Sequence, residues 1–129
     1  MKFLLLVYND PTLVDALPTG EADAMMRDCL SHADEEQAAG RLLGFQQLEE
    51  TSRAVRIRNG RMTTLDGPFA EAKEVLGGFN LVEAADMDEA LRMAAQLPWA
   101  RTGRIEVRPV RDVEAVRRRV FAAADTAAR

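Results

Sequence analysis

The chain has 129 residues, enough for one domain with a modest core. Its 17 Lys and Arg against 21 Asp and Glu give a net charge of −4, which argues against general nucleic-acid binding, since that needs a concentrated positive surface. The single Cys29 excludes an internal disulfide and a multi-cysteine metal site, and with 5% aromatic residues no stacking platform for single-stranded nucleic acid is evident.

Phe3-Leu4-Leu5-Leu6-Val7-Tyr8 is an unbroken apolar run, the pattern of a central strand covered on both faces. It is far too short for a signal-peptide core or a membrane span, so a cytoplasmic protein without membrane partners is expected. Asn9-Asp10-Pro11 ends the run, and residues 11–20 read as a loop.

The spacing predicts a helix from about Glu21 to Ala39, with Ala22, Met26, Cys29 and Ala33 as its apolar stripe and Gly40 as its stop. Cys29 on that stripe reads as a small core residue. His32, the only histidine, falls at the stripe's margin. Such a side chain is more often packed or capped than catalytic, yet it is also the one group whose ordinary titration lies near neutrality.

Arg41 to Leu48 reads as a second strand. The runs 54–58 and 61–65, joined by Asn59-Gly60, predict a two-residue type I′ hairpin. That register sets Ile57 opposite Met62 and Val55 opposite Thr64, and puts Arg56 and Arg58 together on the other face. Those arginines are either a solvated face or an anion-binding wall.

Asp66-Gly67 then signals a turn and Pro68 stops the strand. Residues 70–75 are mostly helix formers, and Gly77-Gly78 reads as the release of a short helix into a strand over 79–83. In that strand Phe79, Leu81 and Glu83 point one way, Asn80 and Val82 the other. The stretch is either a well-specified connection or a loop shaped to present Asp66, Glu71, Lys73 and Glu74 to a site.

Asp86 and Glu89 form a capping box that opens the next helix, with Met87, Ala90, Leu91 and Ala94 inward and Pro98 as its stop. Residues 98–103 read as a loop, with Trp99 over a core edge or a cavity mouth. In the strand 104–108, Ile105 and Val107 take the helix side, and Glu106 and Arg108 the opposite one. That charged pair suits an ion pair between subunits at least as well as a ligand contact. From Asp112 a helix follows with Val113, Val116, Val120 and Ala124 on one side, fraying from Asp125. Arg117-Arg118-Arg119 on it reads as a solvated cluster.

Asp66-Gly67-Pro68-Phe69, then Glu71, Lys73-Glu74 and Leu76-Gly77-Gly78, closely resemble the signature of the DGPF-domain branch of the YCII-related proteins. The likeness continues in Glu106-Val107-Arg108-Pro109-Val110 and in Met1-Lys2-Phe3-Leu4-Leu5, so it covers residues 1–111 and leaves 112–129 as a helical extension. It implies a ferredoxin-like antiparallel sheet with helices on one face, pairing as a homodimeric α/β barrel. It implies no settled activity. Many such proteins are encoded beside extracytoplasmic-function sigma factors. One subgroup carries a run similar to His32-Ala33-Asp34-Glu35, and a helix-borne histidine in the wider group is suggested to work with an aspartate.

The chain has no P-loop, no dinucleotide fingerprint, no histidine pair at metal spacing and no nucleophile elbow, so no cofactor or metal is expected. Any active site must use carboxylates, arginines and one imidazole. The expected protein is a homodimer that binds a small molecule, with His32 and Asp66 as candidate acid–base residues and Arg56, Glu71, Lys73, Glu106 and Arg108 as candidate binding residues. The alternative is an accessory protein that acts by contact, with a sigma factor as partner.

Overall fold

The computed structural model describes residues 1–68 and 73–128. In chain order the elements are β1 (Lys2–Asn9), α1 (Pro11–Asp15), α2 (Glu21–Ala38), β2 (Leu42–Gln47), β3 (Ser52–Arg58), β4 (Arg61–Gly67), β5 (Val75–Glu83), α3 (Met87–Ala95), β6 (Gly103–Pro109) and α4 (Val113–Ala128), with a 3-10 turn at Pro98–Arg101. Four strands form one sheet in the order β2-β5-β1-β6, antiparallel at every junction. The expected α+β architecture with antiparallel pairing is therefore present.

The apolar run near the start is central because β1 pairs on both edges, with β5 and with β6. Its side chains alternate between the two faces. Phe3, Leu5 and Val7 are buried beneath the helices, in one cluster with Ala33 of α2 and Ala90 and Ala94 of α3. The alanines let both helix backbones sit close to the sheet, and burying each large side chain contributes roughly 1.5–3 kcal/mol. Leu4 and Leu6 point the other way and lie beside Leu81 and Phe79 in register. All four are only half-buried. Ile105 and Val107 take the helix side of β6, and Glu106 and Arg108 the open side, as their alternation predicts.

β3 and β4 form a separate two-stranded sheet. Asn59 and Gly60 have φ of 53° and 73°, the paired positive values a type I′ turn needs. Ile57 faces Met62 and Val55 faces Thr64, in the expected register. The hairpin is nevertheless bare: Val55, Ile57 and Met62 are 63–67% exposed.

Several elements differ from the sequence reading. The segment after β1 is not all loop: α1 forms because Asp10 caps it, accepting from the Thr12 N–H at 2.9 Å, with Pro11 at its first position. The α2 stripe is turned, so Met25 and Ala33 are its buried residues while Met26 and Cys29 are half-buried. Asp66-Gly67 is not a turn but the end of β4, paired with Arg53 and Ser52. Lys73-Glu74 is a bend and β5 begins at Val75, so no helix reaches residue 75; Glu71 and the rest of 69–72 lie outside the described residues. Gly77 and Gly78 lie within that strand and do not close a helix. They allow close approach: a Cβ on Gly78 would sit 2.7 Å from the Gln46 carbonyl oxygen, and one on Gly77 2.8 Å from Asn9 Nδ2.

Asp86 does cap α3, accepting from the Glu89 N–H at 2.8 Å. The inward face of α3 is Ala90, Met93 and Ala94, whereas Met87 and Leu91 are exposed. α4 continues to Ala128 instead of fraying at Asp125. From Val113 to Ala124 its side chains are exposed, apart from the half-buried Val116.

Candidate functional site

A cavity of about 360 Å³ lies on the helix side of the sheet, where the ends of β1, β2 and β5 meet α1, α2 and the 3-10 turn. Its volume falls at the low end of the range for small-ligand sites. The wall is mainly apolar, with Val7, Met26, Phe45, Phe79, Leu97 and Trp99 around it. Four amide residues interrupt that wall, Asn9, Gln46, Gln47 and Asn80, of which Asn9, Gln47 and Asn80 are on the helix side of their strands.

Each amide is positioned by strand alternation. Asn80 shares the helix side of β5 with buried Val82, and its Cα partners are Leu5 and Phe45. No hydrogen bond holds its side chain among the described residues, and none of its polar atoms is sealed from solvent. Asn9 is oriented by Thr102, whose Oγ1 donates to Asn9 Oδ1 at 3.3 Å. Thr102 is itself buried, and its carbonyl accepts the Asp10 N–H at 2.8 Å. Gln47 donates through Nε2 to Met26 Sδ at 3.2 Å. Trp99 reaches the cavity from the 3-10 turn, and its indole N–H donates to Cys29 Sγ at 3.3 Å. Cys29 is therefore a half-buried wall residue more than a core residue. Asp15, Glu49 and Glu50 are exposed lining residues.

A smaller cavity lies behind this one. It shares Cys29, Asn80 and Leu97 with the larger cavity and adds His32 and Glu36. His32 is half-buried there, one helical turn from Glu36. Asp66 lies near the base of the hairpin, with its side chain 86% exposed and paired to Arg53 at 3.0 Å. The linings of the two cavities include His32 and not Asp66. Arg56 is exposed on β3, opposite Thr63, and Lys73 is exposed at the bend before β5. Glu106 and Arg108 lie on the open face, away from both cavities.

On that open face Arg104 is a centre that sequence reasoning passed over. It lies 4.2 Å above the Tyr8 ring, bonds Glu74 at 2.9 Å and pairs with Glu106 at 3.6 Å. Strand alternation could have revealed it, since Arg104, Glu106 and Arg108 share a face. The same signal marked Asn80, a polar residue at a helix-facing position. Gln47 and Asn9 carried no such mark, because they stand at strand ends. Among the described residues no group of three or more His, Cys, Asp or Glu could hold a metal ion.

Glu36 accepts from Arg41 at 2.7 and 2.8 Å through both carboxylate oxygens. This hydrogen-bonded pairing holds the Glu36 carboxyl below the usual glutamate range; burial opposes it, and the charges of Arg41 and His32 add to it. The stabilisation is thus complete above the unfolded glutamate value, about pH 4 to 5, and is lost as pH falls through the lowered folded value. Glu36→Gln is expected to reduce the melting temperature at pH 7, with the gap to the parent closing in acid. Thermal melts from pH 7 to pH 3 measure this, and a gap that stays constant with pH would count against the pairing.

A family model described as YCII-related domain matches residues 1–114. An uncharacterized protein of Rhizobium meliloti (strain 1021) is 39% identical over 114 residues, covering 85% of this chain and 92% of that protein.

Proposed function

The chain belongs to the YCII-related family, and from that premise we propose that it is a cytoplasmic homodimer that binds a small molecule in the cavity between α2 and the sheet. The observation that carries this reading is the cavity itself: about 360 Å³, mostly apolar, with amides set into its wall. In the ferredoxin-like barrel form of the reading, two copies pair through their open sheet faces. Its support is that Leu4, Leu6, Phe79 and Leu81 stand side by side there and are only half-buried.

The acid–base version assigns proton transfer to His32 and Asp66. The support for His32 is its place behind the shared wall residues Cys29 and Asn80. This version requires Asp66 to arrive from a second copy, since Asp66 lines neither cavity of its own chain. Arg56 on the hairpin, Lys73 at the bend before β5, and Glu106 and Arg108 on the open face then act between copies, with Glu71 kept as a candidate binding residue. A second reading, contact with another protein such as a sigma factor, draws on the exposed Val113, Val120 and Phe121 of α4.

A thermal-shift screen of single-ring metabolites, charged and neutral, tests binding. A ligand at about 100 times its dissociation constant adds roughly 2.7 kcal/mol. A shift accompanied by a change in Trp99 emission is expected. A flat response across the set, with Trp99 unmoved, would overturn the small-molecule reading in favour of protein contact.

A further inference from the structure

We infer that the cavity selects a neutral single-ring ligand bearing a carbonyl or amide group, recognised by Asn80, and that it discriminates against carboxylate and phosphate ligands. This rests on the small-molecule reading above and narrows it.

The charge of the wall carries the inference. Among the described lining residues there is no Lys, Arg or His, while Asp15, Glu49 and Glu50 are all carboxylates. An anion entering an apolar wall loses its hydration, and only a cation or several converging donors can replace it. Arg53, Arg56 and Arg58 lie on the hairpin, Lys73 at the bend before β5, and Arg104 and Arg108 on the open face. Trp99 N–H, the other strong donor at the wall, is already committed to Cys29. The local charge therefore repels anions at the mouth, and no cation among the described lining residues compensates them inside.

The polar groups define what is accepted. Asn80 presents both a donor and an acceptor with no protein partner among the described residues. It stands on the central strand pair, where its backbone is fixed by ladders to both β1 and β2. A ligand carbonyl or amide can complete that side chain, and Phe45 and Trp99 supply apolar faces for the ring. The volume limits the ligand to one ring, or two small ones.

Benzamide, benzoate and toluene share one framework and separate the terms. Trp99 is the only tryptophan, so its emission and its indole N–H resonance report on the wall directly. Titration of the full chain is expected to show benzamide binding at least tenfold more tightly than benzoate. Asn80→Leu is expected to weaken benzamide about tenfold and to leave toluene unchanged; Asn80→Ser serves if the leucine variant does not fold. Benzoate binding as tightly as benzamide overturns the inference while the small-molecule reading stands. Equal loss of benzamide and toluene in the Asn80 variants also overturns it, because Asn80 would then act on the wall's shape alone. If none of the three perturbs Trp99, the inference and the reading beneath it both fail.

Discussion

Gly103→Ala is expected to remove a large share of this protein's stability. Gly103 opens β6 opposite Asn9, and a Cβ there would land on the Tyr8 carbonyl oxygen and lie within 3 Å of the Tyr8 carbonyl carbon and Asn9 Cα. These are backbone atoms, so no rotamer change relieves the clash. β6 must move away from β1, and that move disturbs the Arg104 stack on Tyr8 and the Thr102 bond to Asn9 at the cavity. The loss is expected to be about 3 kcal/mol or more, within a total of roughly 5–15 kcal/mol for a domain of this size. Urea unfolding followed by far-UV dichroism measures it. A loss below about 1 kcal/mol would mean that the junction between β1 and β6 is looser than its geometry.

Leu5→Ala and Leu6→Asp, neighbours on β1, are expected to fail in different ways. Leu5 is 1% exposed within the cluster of Phe3, Val7 and Ala90, so truncation removes its transfer energy and leaves a cavity, about 2–5 kcal/mol in all. Leu6 lies on the open face beside Phe79 and Glu106. A carboxylate there meets water in a single copy and is tolerated; between two sheets it is desolvated directly opposite the Glu106 carboxylate and prevents pairing. Light scattering is expected to give the parent twice its 14.3 kDa chain mass and Leu6→Asp the single-chain mass, still folded. A parent of single-chain mass at micromolar concentration would remove the homodimer, and an unfolded Leu6→Asp would mean that the open face is covered within one chain.

Much of the fold was legible where a local rule acts alone. The Asn59-Gly60 turn fixed the hairpin register, Asp86 fixed the start of α3, and alternation sorted both faces of β5 and β6. Legibility failed where packing chooses between local options. Gly77-Gly78 fit a helix stop or a close strand contact equally well, and the Gln46 carbonyl decides it. In α2 the buried residues are Met25 and Ala33, and spacing alone did not single out Met25 over Met26. The candidate site was less legible still. The sequence favoured charged residues, whereas the cavity wall is built from amides and aromatics whose convergence depends on three strand ends and two helices meeting. Only Trp99 at a cavity mouth was foreseen.

The hairpin's isolation has a consequence for what stability means in this protein. β3 and β4 pair with each other and share no ladder with the four-stranded sheet, so opening the hairpin breaks none of that sheet's bonds. A two-stranded ribbon with bare Val55, Ile57 and Met62 is marginal in water. The molecule therefore has two tiers of cooperativity: a sheet-and-helix unit that unfolds as a whole, and an arm that opens on its own at far lower cost. Global denaturation reports the first tier. Limited proteolysis reports the second, and anything that grips the arm is felt there without changing the first.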